Sequence, residues 1–495
     1  MIRHFLAFSL TLMLIVAVQA QTPTPRSDDE TRSARIDEAA RQAWVITDLV
    51  LENDIDPPAR QEMLLHGLKV LLRQKKAKTP ANLAKRVSTV TSAERFASVL
   101  AEVWPNEEDR QDAGSAEKTE HALFNGLLDW RTNEKDGIGY LSPQDVKRQE
   151  MIAGNRYVGT GIQIRKNDKE KLTQIVVPFP GGPARKAGAR PGDLIVEVNG
   201  ESMEGVPLPK VVERLQGEEG TKVSMTVRQP GESEKRLLEM VRSIIPFSSV
   251  QGYRRTGEES WSFRCDRRSA IGYLSIDEIK VNTLMDLRKV EPQVRAEGAK
   301  ALVLDLRFTM GQDTGHAALV ADAFLDDGVL FRVHDNHGRT KEYKADRDCL
   351  FRGMPIVVLV SEYTGSMGAV VAAALQDRGR AIVVGEMPKT EFIVTTLVHL
   401  PEDRGAVLLR TGRVERSEPA ASTEQHRVAA AANHLWPDHR VAIDRKEAAA
   451  VQEWRQQQQS PEPKADAKPP ADPQLAKGID LLRQALTKDE KKDKQ

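Results

Sequence analysis

Four stretches between residues 34 and 130 carry apolar residues at helical spacing: "RIDEAARQAWVITDLVLEND", "PPARQEMLLHGLKVLLRQKK", "TSAERFASVLAEVW" and "AEKTEHALFNGLLDWR". Recurrence at i, i+3 and i+4 predicts amphipathic helices, and Pro57 and Pro58 open the second one, where a missing N–H costs little. The pattern defines a helical N-terminal region over 34–150. From Gly154 the period shortens to that of strands punctuated by glycine, in "YVGTGIQIR", "LTQIVVPFPGGPARKAGARPGDLIVEVNGESM" and "PLPKVVERLQGEEGTKVSMTVRQPG". These runs predict a small β domain over 154–245. Residues 260–446 alternate continuous apolar runs ("AIGYLSIDEI", "ALVLDLRF", "PIVVLVSEYT", "AIVVGE") with amphipathic ones ("TLMDLRKVEPQVRAEGAK", "HAALVADAFLDDG", "AVVAAALQDRG"). Strands apolar on both faces, each followed by a helix, predict an α/β layer built on a mostly parallel sheet. Residues 452–473 have too little apolar content to bury and are expected to be a disordered linker. "DPQLAKGIDLLRQAL" then predicts a C-terminal helix over 474–488, capped by Asp472.

At 495 residues the chain exceeds what one core supports, in keeping with several domains. Its 72 basic and 72 acidic residues cancel, and no basic run is present to track phosphates, so no nucleic-acid partner is implied. "MIRHFLAFSLTLMLIVAVQA" has a short basic start, an apolar run from Phe5 to Val18 and small residues at Val18 and Ala20. It reads as a signal peptide over 1–20, cleaved after Ala20, which makes the protein exported, periplasmic or otherwise extracytoplasmic. No later stretch is long enough for a transmembrane helix. Export permits disulfides, and the two cysteines, Cys265 and Cys349, are either bridged or two buried thiols. His66 and His121 are read as ordinary helix positions. No metal cluster or nucleotide-binding loop is present, so no cofactor is expected.

"GGPARKAGARPGDLIVEVNG" resembles the PDZ domain, whose usual run has a short helix before a Gly-Asp turn and a strand ending in Asn-Gly. The residues themselves agree. Val158, Gly159, Thr160, Gly161 and Ile162 offer consecutive backbone N–H groups on a glycine-bearing loop, a nest for a terminal carboxylate. The following "IQIR" can accept an extended peptide as an added strand beside the helix "KVVERLQG".

With "IGYLSIDEI", "AKALVLDLR", "VADAFLDDG", "VVAAALQDRGRAIVVGE" and "LWPDHRV", the third region resembles the carboxyl-terminal processing peptidases, or tail-specific proteases, of the S41 serine peptidase family. The resemblance implies a multidomain α+β protein: a helical N-terminal region, a PDZ-like β domain and a core of the ClpP/crotonase type. It also implies a serine endopeptidase with a lysine base that binds its protein or peptide substrates by their C-terminal tails. By position the nucleophile is Ser366 in "TGSMGA", and the oxyanion donors are the Met367 and Gly311 N–H groups. Ser366 at a strand-to-helix turn suits that role, because helix N-terminal amides favour a developing anion.

The base departs from the pattern. The family lysine lies five residues after the glutamate of its Gly-Glu pair, a position held here by Glu391, while Lys389 comes two residues early in "GEMPKTEF". Two residues keep the same face of an extended segment but shift the side chain by about 6–7 Å. The family's following glutamine has no match in "EFIVTT", and its Asn-Pro-Gly-Gly turn is replaced by "FTMGQD". His399, on the same strand parity as Glu391, reads either as a substitute base or as a polar strand end. Two functions follow as expectations: an exported serine endopeptidase using Ser366 and Lys389, or a catalytically degenerate scaffold that captures tails through its PDZ domain. A homo-oligomer built through the N-terminal helices is compatible with either.

Overall fold

The computed structural model describes residues 28–105, 115–130, 139–154, 158–179, 181–245, 248–257, 260–265, 270–346, 349–417, 428, 434–459 and 468–492. The expected signal peptide, residues 1–20, lies outside them. The N-terminal region comprises α1 (Asp28–Asn53), α2 (Arg60–Gln74), α3 (Leu83–Val87), α4 (Ala93–Val103), α5 (Ser115–Leu128), a strand β1 (Gly139–Leu141) and α6 (Pro143–Ala153). Ser92 caps α4 through the Arg95 N–H (3.3 Å), as a serine ahead of an apolar stripe leads one to expect.

The second region holds β2 (Val158–Gly159), β3 (Ile162–Asn167), β4 (Leu172–Pro178), α7 (Pro183–Lys186), β5 (Leu194–Val198), β6 (Glu201–Ser202), α8 (Leu208–Leu215), β7 (Lys222–Arg228), β8 (Arg236–Val241) and β9 (Ser243–Ile244). Its antiparallel sheet runs β3-β4-β5-β7-β8, with β3 at the edge. Ile162 of β3 and Val211 and Leu215 of α8 belong to one core.

The third region contains β10 (Val250–Gln251), β11 (Arg254–Arg255), β12 (Trp261–Ser262), β13 (Ile271–Ile276), α9 (Thr283–Ala296), β14 (Ala301–Asp305), α10 (Thr314–Asp322), β15 (Val329–His334), β16 (Thr340–Lys344), β17 (Ile356–Val360), α11 (Ser366–Asp377), β18 (Ala381–Gly385), β19 (Ile393–His399), β20 (Ala406–Arg416) and β21 (His439–Arg440). Two helices follow, α12 (Arg445–Gln459) and α13 (Pro473–Lys492). The main sheet runs β10-β13-β14-β17-β18-β21, and its pairs from β13 to β21 are parallel. Alternation sorts its side chains between two cores. Leu274, Leu302, Leu304 and Val358 pack with residues of α9, α10 and α11, whereas Tyr273, Val303, Val357 and Leu359 pack with Leu475 and Leu482 of α13.

Three features differ from the sequence reading. A second, antiparallel sheet, β1-β20-β15-β16 with β19 on β20, crosses the expected boundary. Leu400, Val407 and Leu409 of its β19–β20 hairpin belong to the core of the N-terminal helices, so the helices and the third region are joined. Residues 452–459 of the expected linker are helical, in α12, because Val451, Trp454 and Arg455 find buried positions that no local count of apolar residues reveals. Both cysteines are thiols and no bridge joins them. Burial, offset in part by Arg380, pushes the Cys349 thiol up.

Candidate functional site

Ser366 opens α11 at the carboxyl edge of the parallel sheet, where open α/β sheets bind their ligands. The turn from β17 into α11 is laced to the loop after β14. Thr364 Oγ1 donates to the Leu306 carbonyl (2.9 Å), Ser361 Oγ to the Arg307 carbonyl (2.5 Å), and the Gly365 N–H to the Thr309 carbonyl (2.8 Å). That approach demands glycine, since a Cβ on residue 365 would lie 2.9 Å from the Thr309 oxygen. Thr309 is tied in turn to Ile276 through its hydroxyl (2.5 Å).

Gly311 has φ +153°, and a Cβ there would sit 3.0 Å from Ile279 Cβ. It lies close to Met367, whose Cβ is 3.4 Å from the same point. The two residues expected to supply oxyanion donors are therefore neighbours, and Met367 N–H is among the first amides of a helix, which have no acceptor within it.

The expected dyad is not assembled. The Ser366 hydroxyl lies within reach of two main-chain carbonyls that compete for its one proton, those of Glu391 (3.0 Å) and Ile393 (3.1 Å). Lys389 pairs its ammonium with Glu362, and its exposed stem runs beside that residue. The hydrogen bond that the Lys389 ammonium donates to Glu362, with the carboxylate's charge adding, raises the Lys389 pKa above its ordinary value, and the same bond lowers that of Glu362. A lysine base needs the opposite shift, because only a neutral amine takes the serine proton. Glu391, at the position the resemblance assigns to the lysine, is half-exposed and accepts from Arg410 Nη2 (3.0 Å), while Arg410 is almost completely buried in β20. His399 Nε2 lies 3.4 Å from Glu150 Oε1 of α6.

Sequence reasoning missed the partners that decide this. Arg410 carried a signal, as a lone arginine in the apolar run "AVLLRTG" that must find an anion if buried. Asp305 in "LVLDLR" carried the same signal. Its carboxylate holds Arg307 (2.7 Å to Nη2), which also grips Asp472 (2.8 Å) at the start of α13, and Tyr273 donates to it (2.7 Å). Glu362 carried none.

At the second candidate site, Val158 and Gly159 form β2, paired with Ile244 and Ser243 of β9, so these two are strand and not loop. Thr160 and Gly161 make the turn into β3, with Gly161 at φ +72°. Ala184 N–H donates to the Thr160 carbonyl (2.8 Å) and Phe179 N–H to that of Gly161 (2.8 Å), which fixes the turn ahead of β3. Among the described residues no group of three or more His, Cys, Asp or Glu is placed to hold a metal ion, and no helix is long and apolar enough to cross a membrane.

Residues 270–430 match peptidase family S41, and residues 174–229 match the PDZ domain. The chain is 28% identical over 265 residues to a carboxyl-terminal-processing protease of Picosynechococcus sp., an overlap of 54% of this chain and 62% of that protein. It is 29% identical over 272 residues to the chloroplastic C-terminal processing peptidase of Tetradesmus obliquus, covering 54% of this chain and 59% of the relative. The chain thus spans about 60% of the length of these curated relatives. Among solved structures, the photosystem II D1 C-terminal processing protease aligns with 78% of this chain and 94% of its own at 24% identity and a TM-score of 0.36. A peptide-bound PDZ domain of a Vibrio cholerae carboxy-terminal protease aligns with 18% of this chain and 98% of its own at 28% identity and a TM-score of 0.17. The resemblance read from the sequence, to carboxyl-terminal processing peptidases bearing a PDZ domain, is borne out.

Proposed function

We propose that this chain, which joins a PDZ domain to a core of peptidase family S41, is an exported receptor for the C-terminal tails of polypeptides and that its core lacks a working Ser/Lys dyad. Tail capture uses the turn Val158–Ile162 for the carboxylate and the free edge of β3 for the added strand, with α8 as the opposite wall. The observation that carries the non-catalytic reading is the pairing of Lys389 with Glu362 while Glu391, in the base position, is neutralised by Arg410. Ser366, within reach of two main-chain carbonyls, has no base to take its proton.

A second reading has one observation in its favour: the elbow is intact, with Met367 and Gly311 side by side. In it, Lys389 leaves Glu362, gives one proton to solvent and, as the neutral amine, takes the Ser366 proton as Oγ attacks a peptide carbonyl, and the two amides hold the oxyanion.

The test uses the chain from Gln21 onward. A labelled peptide with an apolar tail is titrated with its C-terminus free and amidated, and cleavage of an unfolded polypeptide is followed beside a Ser366→Ala variant. Binding that needs the free carboxylate, without Ser366-dependent cleavage, is the expected result. Equal binding of both peptides removes tail capture, and cleavage lost in Ser366→Ala replaces the receptor with the peptidase.

A further inference from the structure

On the face of the main sheet that carries α13, away from α11, a cavity of about 40 Å³ lies among β13, the β10–β12 segment, α12 and the residues leading into α13. Tyr253, Trp261, Ser275 and Trp454 line it, with Pro469 and Pro470 on the incoming chain. Ser275 reaches this face because it alternates with Leu274 and Ile276, which pack on the other side. The Tyr253 ring lies 5.4 Å from Tyr273 and 6.4 Å from Trp454, so much of the wall is aromatic. Room of this size holds roughly three waters or one small polar group.

Donors without acceptors line the same cavity. Arg455, 8% exposed, gives Nη2 to Asp277 (2.6 Å), but its buried Nη1 makes no hydrogen bond and lies 3.8 Å from Asp305 Oδ1, beyond bonding reach. Gln458, also buried, is held only through its side-chain oxygen, by the Arg255 N–H (3.4 Å), which leaves its amide nitrogen unbonded among the described residues. The Ser275 and Tyr253 hydroxyls likewise have no hydrogen-bond partner among the described residues. Burial pushes the Tyr253 hydroxyl up to about 12, which keeps it a donor. Guanidinium and amide nitrogens only donate, and a buried donor left without an acceptor is costly, so the complement of this cavity is an acceptor. Charge narrows the choice. Arg307 and Arg455 in the wall face Asp472, with Asp305 and Asp277 behind them. Arg254 and Arg255 stack on Trp454 and Trp261, 5.5 and 5.1 Å from the ring centres. Of these seven groups four are cations and three are anions, so a monoanion balances them.

We propose that this cavity binds the carboxylate of a small organic acid with an apolar body, its oxygens accepting from Arg455 Nη1 and the neighbouring donors and its body lying against Trp261 and Trp454. Only the carboxylate head fits inside, and the aromatic wall suits an apolar body at the mouth, the usual composition of a small-molecule site. The site is separate from Ser366 and from the PDZ turn, and it does not depend on the tail-receptor reading.

The test titrates benzoate, its neutral analogue benzamide and inorganic phosphate into the full chain from Gln21 and follows tryptophan fluorescence, since Trp261 and Trp454 are in the wall and the PDZ domain contains no tryptophan. Benzoate should saturate the change and bind about tenfold more tightly than benzamide, the difference between a charge-assisted and a neutral hydrogen bond. Arg455→Gln should abolish binding, but it also breaks the pairing with Asp277 and can unfold the chain. The double variant Tyr253→Phe, Gln458→Leu leaves the ion pairs in place and removes two donors. With its thermal unfolding unchanged, it should bind benzoate about tenfold more weakly and benzamide as before. Equal binding of benzoate and benzamide, or no saturable change at millimolar benzoate, overturns the proposal. Benzoate binding that the double variant leaves intact places the ligand elsewhere and overturns it too. Phosphate binding as tightly as benzoate makes the cavity a general anion hole and removes the carboxylate assignment.

Discussion

Asp472 stands at the start of α13, and its truncation to alanine measures how firmly the C-terminal helix is locked beneath the 305–311 loop. Its carboxylate accepts from Arg307 Nη1 (2.9 Å) and Nη2 (2.8 Å), and Oδ1 also caps α13 through the Leu475 N–H (2.9 Å). Arg307 is fully buried, so Asp472→Ala leaves its guanidinium with Asp305 and the Gln474 side-chain oxygen (3.3 Å). Removing one arm of a buried pair costs about 3–5 kcal/mol when the charge is stranded. Because Asp305 remains, roughly 2 kcal/mol is appropriate here, and the lost cap adds about 1 kcal/mol. A total near 3 kcal/mol corresponds to local opening of α13 about 150-fold more often. Hydrogen exchange of peptides covering 473–492, followed by mass spectrometry, should show that loss of protection. Asp472→Asn, which keeps the capping oxygen, should lose roughly tenfold. A change under about threefold in the alanine variant refutes the reasoning and makes the ion pair energetically idle.

Glu391→Lys sets an ammonium beside the buried Arg410 guanidinium, which depresses its pKa, and the expected outcome is cleavage of an unfolded polypeptide that a second substitution, Ser366→Ala, abolishes. Gly365→Ala drives a Cβ to within 2.9 Å of the Thr309 backbone oxygen, and thermal unfolding should show a loss of about 1–3 kcal/mol. Acid should destabilise the third region through Asp305: burial raises its pKa, but the Arg307 and then the Arg455 charges outweigh it and hold the carboxyl well below its ordinary value. A depressed folded pKa means stability present above the unfolded value near 3.9 and lost as pH falls through the folded one, so the contribution of Asp305 to the free energy of unfolding, taken from denaturant titrations of the chain beside Asp305→Asn, should be flat above about pH 5 and fall below about pH 4.

Periodicity alone made the main elements legible. The buried strands of "AIGYLSIDEI", "ALVLDLRF", "PIVVLVSEYT" and "AIVVGE" announce themselves because a strand covered on both faces has no polar side to show. Ser366 at a strand-to-helix turn was likewise readable, since such turns follow from local chain geometry, whereas Gly311 was reached only through the resemblance to the S41 peptidases. What stayed hidden depends on pairs distant in the chain. Arg307 meets Asp472, Arg410 meets Glu391 across a β-bulge, and the β19–β20 hairpin gives Val407 and Leu409 to a core built by helices more than 250 residues earlier.

By itself the sequence determined the order of elements, the glycine turns and the kind of side chain at each candidate position, because these are set by neighbours a few residues away. Only the tertiary structure decided whether Lys389 serves Ser366. That question turns on which anion the ammonium reaches, and Glu362 wins because the loop after β18 runs back along the end of β17. Charge pairing is a property of distance through space, and a two-residue displacement along the chain is enough to change the partner.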